Sequence, residues 1–335
     1  MNNIILKNFK SFKEETINFK KLTVLSGANG AGKSTVIQAI LLLIQSRDFF
    51  SSDTLTELSL HDYYFDTFYD ELLNFDNSQD IEIILDGNSF QLSNSEKNSR
   101  IKLKNSAEIE NIINFDFIGA DRWGPKRFYS NELRYDNRVG KYGENFAKAI
   151  GIHEKDVELM DLIDTMLFNV FEEEYKIKIT YTRETDTSAI KIGKQNGDKI
   201  SPIHMPFGVS YILPILSALA LALSNDESSL IIIENPEAHL HPQAQSNLGY
   251  VLSELSSNPK LQVILETHSD HIINGILRGV KDKKISNEDV LINYFSSKTE
   301  FSKVEELNIN KNAEIEKWLD GFFDQYSKDV TKLMS

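Results

Sequence analysis

Between Leu22 and Thr35 the chain reads Leu-Thr-Val-Leu-Ser-Gly-Ala-Asn-Gly-Ala-Gly-Lys-Ser-Thr, an apolar strand pattern running through glycines into an apolar helix pattern. The spacing of Gly27, Gly32, Lys33 and Ser34 is that of a phosphate-binding loop. Glycine tolerates positive φ and has no Cβ, so the N–H groups of Ala28, Asn29, Gly30 and Ala31 can wrap an anion closely. A helix beginning near Lys33 aims the positive end of its dipole at the same charge. Lys33 then neutralises the β and γ oxygens of a triphosphate, Ser34 offers its hydroxyl to Mg²⁺, and Thr35 is the next contact on the α-phosphate side.

A second set of reactive residues lies far along the chain. Leu230-Ile-Ile-Ile-Glu234-Asn235-Pro-Glu237-Ala-His239-Leu-His241-Pro242 puts carboxylates at the end of a buried strand, where a further Mg²⁺ contact belongs; it reads as a Walker B element. Glu266-Thr-His268-Ser-Asp270 follows another apolar strand and sets a histidine on the same sheet edge. Together with the glycine loop these segments predict one nucleotide site.

The elements that must position them are readable. Ile4–Leu6 and Thr16–Phe19 bracket a polar turn and predict a hairpin ahead of the loop strand Leu22–Leu25. The helix Ser34–Gln45 is apolar almost all round, as a helix buried between layers must be. A stretch over 48–80 is rich in Asp, Tyr, Phe and Ser, and a second hairpin is expected at 81–87 and 89–92. From 144 to 174 apolar residues recur at helical spacing, followed by alternating strands at 175–181 and 189–192. After Pro206 come an apolar helix Tyr211–Leu223, the strand at 230–233, a helix from about Gln243 and the strand Leu261–Leu265. Strands alternating with helices predict an α/β fold with a mixed, two-lobed core, antiparallel hairpins and a helical insertion, and no heptad run long enough for coiled-coil arms. The expected domains are 1–140 and 201–335 for the two lobes and 141–200 for the insertion.

Composition bounds the rest. The 335 residues bury a sizeable core, and the net charge of −14 argues against coating nucleic acid by bulk electrostatics. With no cysteine there is no disulfide framework and no thiolate chemistry, and a cytoplasmic compartment is expected. No apolar run is read as approaching a membrane span of about 18 residues.

The opening Leu6-Lys-Asn-Phe-Lys-Ser-Phe12, the glycine loop and the Glu-Asn-Pro-Glu-Ala-His-Leu-His-Pro and Thr-His-Ser-Asp-His segments resemble those of the ABC-type ATPases that include SMC, RecF and OLD-family proteins. The nearest resemblance is to stand-alone ATPases of bacterial anti-phage operons, of the Septu type, in which a tail like Trp318-Leu-Asp-Gly-Phe-Phe-Asp-Gln325 also occurs. It is strong over 1–45 and 202–335 and weak between. It implies an ABC-ATPase-like P-loop NTPase that takes ATP and Mg²⁺, with a signature element at Pro206-Phe207-Gly208-Val209-Ser210 in which Gly208 and Ser210 cap the γ-phosphate held by another subunit. Two subunits then pair head-to-tail with ATP as the glue, and a separate effector, a nuclease of HNH type among the candidates, is regulated by that state. His268 resembles the switch histidine that contacts γ-phosphate.

One departure matters. Where most relatives end the strand Asp-Glu, this chain has Glu234 and Asn235. Glu234 can still hold Mg²⁺, whereas Asn235 can hydrogen-bond water and cannot take its proton. Loss of a general base costs about 10² to 10⁴ in rate, so slow turnover is expected, with Glu237 and His268 as substitutes. A RecF-like DNA-repair ATPase, a non-hydrolysing ATP-binding scaffold and, remotely, a transporter subunit are the competing readings. Arg122, Lys126 and Arg127 sit among aromatics and are the expected contacts if DNA is bound; the same stretch reads as well as a lobe-coupling loop that senses the nucleotide. Lys7, Lys10, Lys13, Lys20 and Lys21 read as a solvated edge, the His239/His241 pair as an intersubunit contact rather than a metal site, and Trp318, Phe322 and Phe323 as aromatics docked on the chain's own core.

Overall fold

The computed structural model describes residues 1–46, 55–59, 67, 69–73, 80–94, 100–105, 114–131, 138–194, 197–297, 300–319 and 321–334. The chain folds into two compact units interleaved in sequence: unit 1 is Met1–Ile112, Leu291–Asn308 and Ile315–Ser335, and unit 2 is Ile113–Val290 with Ile309–Glu314.

Unit 1 opens with a hairpin of β1 (Asn3–Phe9) and β2 (Phe12–Asn18), in which Phe9 pairs with Phe12 across the turn. Ile4 and Leu6 alternate inward at period two, the alternation breaks at Asn8 with its positive φ, and Phe9, Phe12 and Ile17 are also wholly inside. β3 (Leu22–Gly27) is buried over its first five residues and delivers the chain to α1 (Lys33–Ser46). On α1, Val36, Ile37 and the run Ala39–Ile44 are all buried, so this helix is a core element, as its apolar circumference predicts. β4 (Leu55–Ser59), α2 (Tyr69–Leu72), β5 (Ile81–Leu85), β6 (Asn88–Asn94) and β7 (Arg100–Asn105) follow, and the strands form an antiparallel sheet in the order β2-β1-β5-β6-β7-β4. Asp86 and Gly87, both at positive φ, make the two-residue turn that joins β5 to β6. Most of the acidic stretch over 48–80 lies outside the described residues.

Unit 2 contains a parallel three-strand layer and an antiparallel one. β8 (Asn114–Ile118) leads to β9 (Tyr129–Ser130), and the expected 144–174 helix is two, α3 (Phe146–Gly151) and α4 (Val157–Phe171). The break comes where the Asp156 carboxylate caps α4 by accepting from the Leu159 N–H at 3.1 Å. β10 (Lys176–Thr182) and β11 (Thr187–Gly193) pair antiparallel, with β9 on the far edge of β11. α5 (Phe207–Ser224) begins four residues before the predicted start, and β12 (Ser229–Glu234), α6 (Pro242–Leu255), β13 (Leu261–Glu266) and α7 (Asp270–Lys281) complete the unit. β12 lies between β8 and β13 with both pairings parallel, and its continuous apolar run is what a strand covered on both faces requires.

α5 corrects one expectation. Its 18 residues have a mean hydropathy of 1.9, long and apolar enough by composition to cross a membrane, yet nearly every side chain after Phe207 is buried in unit 2. It is the core helix of this unit. α6 and α7 approach more closely than any side chain would allow: a Cβ on Gly275 would lie 1.9 Å from the Ser246 carbonyl oxygen, and one on Gly249 2.1 Å from that of Ile272.

The chain then returns to unit 1 as β14 (Val290–Ser296) and β15 (Lys303–Leu307), paired antiparallel with β14 beside β3, and ends in α8 (Gln325–Met334). Among the described residues no helix is long enough to make a coiled-coil arm.

Candidate functional site

The glycine loop lies in unit 1 between β3 and α1. Gly27, Gly30 and Gly32 take φ of 140°, 73° and 102°, the left-handed half of backbone space that side chains rarely enter. At Gly27 space also demands glycine, since a Cβ would lie 2.2 Å from the Phe295 carbonyl oxygen on β14. Gly32 is closed in by the Phe12 ring of the opening hairpin, 2.6 Å from where its Cβ would be, which gives the Lys-Ser-Phe opening a part in shaping the loop. Ala28, Asn29 and Gly30 stand exposed at the tip, Ala31 and Gly32 are buried, and Ser34 is exposed at the start of α1 with Thr35 half-buried behind it. The Lys33 ammonium, 4% exposed, donates to the carbonyls of Gly27 at 3.0 Å and Ala28 at 2.8 Å and so lies across the loop. A phosphate there meets a cation, helix-terminal N–H groups and a hydroxyl.

The acidic residues gather in unit 2, at the ends of β12 and β13. Glu234 and Glu266 are paired in register on adjacent strands. Burial, and then repulsion from Glu266, pushes Glu234 up to about 7, against the pull of the Ala120 N–H, which donates to its Oε2 at 3.2 Å. Asn235 has φ 44°, a conformation in which Asn is enriched, so the residue type has a backbone reason as well as a chemical one. Its Oδ1 is buried and, among the described residues, has no hydrogen-bond partner.

Glu237 is engaged elsewhere. One oxygen accepts from the Thr267 hydroxyl and the other from the His268 N–H, each at 2.8 Å, so this carboxylate clasps the loop after β13 and is not poised as a base. The His268 side chain is left exposed at the end of that loop, and Ser269 caps α7 by accepting from the Ile272 N–H.

Ser210, read as a γ-phosphate cap, is 4% exposed, with its hydroxyl directed at the Pro202 carbonyl 3.4 Å away. Gly208 is buried against the His239 carbonyl, where a Cβ would come within 2.8 Å. The groups standing out at this end of α5 are Phe207 and His239, flanking Tyr211; the His239 ring lies 4.4 Å from that of Tyr211. Arg122 is 3% exposed and its guanidinium is spent on backbone carbonyls, so it is not available to a nucleic-acid phosphate. Lys126 lies over the Trp123 ring, 3.1 Å from its centre. Lys10, expected at a solvated edge, is bonded to Gln38 and lowered by burial, whereas Lys7 pairs with Glu82 at 2.9 Å. Of the C-terminal aromatics only Phe322 is wholly buried, edge-on to Tyr294, and Trp318 is 62% exposed. Among the described residues no group of three His, Cys, Asp or Glu is placed to hold a metal ion. Sequence reasoning placed Glu266 at this end of the sheet but gave it no role, and it missed Ala120; two apolar strands each ending in Glu was the available signal for the carboxylate pair.

The sequence model of AAA_21, described as "AAA domain, putative AbiEii toxin, Type IV TA system", matches residues 22–274. A second family, DUF3696, of unknown function, matches 285–333. The chain is 22% identical over 303 residues to the Septu protein PtuA of Bacillus mycoides (strain KBAB4), covering 85% of this chain and 40% of that one. It is 23% identical over 326 residues to the OLD nuclease of Thermus scotoductus (strain ATCC 700910 / SA-01), covering 79% and 58%. It therefore spans less than two thirds of either relative. The Smc head domain with an extended coiled coil, bound to the C-terminal domain of ScpA and derived from Pyrococcus furiosus, superposes with a TM-score of 0.58 at 12% identity, over 100% of this chain and 99% of that one; that likeness speaks to the fold.

Proposed function

The chain belongs to the AAA_21 family and is an ABC-type ATPase related to PtuA, and from that premise we propose that it binds Mg-ATP, pairs head-to-tail with a second copy on it, and in that state controls a separate effector nuclease in a bacterial anti-phage defence system. The observation that carries the reading is the loop Gly27–Lys33, whose glycines hold a conformation suited to an anion and whose lysine already lies across it. The defence role rests on the Septu relative.

The donor set suits a divalent cation. Glu234 and Glu266 repel one another at a half-buried strand end, and a cation relieves that repulsion. Ser34 and Glu234 would hold Mg²⁺, which when bound neutralises phosphate oxygens. The chain's own residues supply the rest. Lys33 neutralises the terminal phosphates, and His268, whose side chain is exposed, and Asn235 are the residues proposed to meet the γ-phosphate and the attacking water. Neither Asn235 nor the engaged Glu237 removes that water's proton, so hydrolysis is slow and the ATP-bound pair is long-lived. With Ser210 buried, Phe207 and His239 are the groups α5 and its neighbouring loop offer to a second copy.

The test is the mass of the protein in solution by light scattering, with and without Mg-ATP, with Lys33→Ala as control. Doubling with ATP in the wild type alone supports the reading, and an unchanged mass sinks the nucleotide-driven pairing. The effector is tested by purification from the native operon, where the absence of any stoichiometric companion counts against it. A second reading, a scaffold that binds ATP without hydrolysis, is favoured by Asn235 together with the engaged Glu237; single-turnover hydrolysis slower than nucleotide release selects it.

A further inference from the structure

The parallel pairing of β12 with β8 ends at Ile233 and Ile118. Beyond it β8 turns away, with the Gly119 N–H donating to the Lys141 carbonyl, while β12 runs on to Glu234 and the chain leaves it at Asn235, the two residues that carry the chemistry. The left-handed φ of Asn235 brings its carbonyl within reach of the same donor as that of Glu234. That donor is Arg122. Its Nη1 donates to the Glu234 and Gly119 carbonyls, each at 2.7 Å, and its Nη2 to the Asn235 carbonyl at 2.8 Å. A planar guanidinium is the side chain that serves two adjacent carbonyls and a third in one plane, and its charge strengthens each bond.

We propose that Arg122 is a positioning residue for the nucleotide reaction: its guanidinium replaces the missing strand as hydrogen-bond donor and so fixes the backbone from which the Glu234 carboxylate and the Asn235 carboxamide project. The same short loop donates the Ala120 N–H to the Glu234 carboxylate, so main chain and side chain of Glu234 are both set from residues 119–122. Burial lowers Arg122 to about 10, which leaves it charged at neutral pH. The inference rests on the ATPase reading above.

Arg122→Lys keeps the charge and the aliphatic stem and removes the fork. The expected result is a fall in kcat on the order of 10- to 100-fold, since misplacement of reacting groups by about 1 Å costs that much, with KM for ATP within about twofold and the melting temperature near wild type. Wild-type kcat in R122K, or a change confined to KM, overturns the inference while leaving the ATPase reading intact; wild-type protein without Mg²⁺-dependent turnover overturns both. Should R122K not fold, the wild-type protein with ¹⁵N-arginine is examined by NMR without nucleotide. A guanidinium bonded on both Nη atoms rotates slowly and gives two separate Nη signals, and a spectrum with no such pair overturns the inference.

Discussion

Glu234→Gln is expected to make the metal-free protein more stable, and more so as pH rises. In the folded chain this carboxyl is raised from 4.5 to about 7 by burial and by Glu266. Below pH 4.5 it is neutral in folded and unfolded chains alike and costs nothing. Between 4.5 and about 7 the unfolded chain is ionised and the folded chain is not, so stability is lost as pH rises. Above 7 both are ionised and the full penalty stands, about 3 kcal/mol for a rise of that size. The amide has the same shape, keeps an acceptor for the Ala120 N–H and never ionises. The variant should thus gain about 1 kcal/mol at about pH 5.5 and about 3 kcal/mol at about pH 8.5, a difference of about 2 kcal/mol between the two. Urea unfolding in EDTA measures it, in a Trp318→Phe background where Trp123, 41% exposed, reports on unit 2. A gain equal at both pH values, or a loss at the higher one, refutes the electrostatic account of this strand end.

Three further outcomes follow from the geometry. Gly27→Ala, whose Cβ would meet the Phe295 carbonyl at 2.2 Å with φ at 140°, should cost unit 1 about 3 kcal/mol or more, read as a lowered thermal transition. Asn235→Glu should raise single-turnover ATP hydrolysis about tenfold or more by supplying the absent base, at about 1 kcal/mol in stability for a less suitable residue at φ 44°. Gly275→Ala, with its Cβ 1.9 Å from the Ser246 carbonyl, should push α7 from α6 and lower the melting temperature by the equivalent of about 1–3 kcal/mol without altering ATP affinity in equilibrium dialysis.

What the sequence disclosed was local, and what it withheld was tertiary. The glycine loop, its flanking strand and helix, and the acidic end of β12 are contiguous stretches whose residue types suffice to name them. The hairpin at 81–92 was legible for the same reason, since Asp86-Gly87 is turn chemistry. Arg122 could be read two ways, as a nucleic-acid contact or as part of a nucleotide-sensing loop, because basic residues among aromatics look alike whether they face solvent or a distant carbonyl; only the termination of β8 at Ile118 makes it a donor to residues more than a hundred positions away. The burial of Ser210 was not legible because α5 is apolar on every face, so the helix sinks and takes its serine with it. Glu237 looked like a spare base until Thr267 and His268 folded onto it. β14 escaped notice because it follows the last motif, and nothing local tells that it lies beside β3.

The glycine contact between α6 and α7 has a mechanical meaning. Backbones that touch at Gly249 and Gly275 leave no side chain between the helices at those two points, so sliding or tilting there meets backbone directly. α6 begins just after Glu237 and α7 just after His268, and the Glu237 clasp ties those two starting points together. A displacement of either start is therefore not absorbed as slack but carried by both helices as a single rigid lever. Their far ends, near Leu255 and Lys281, would then move together.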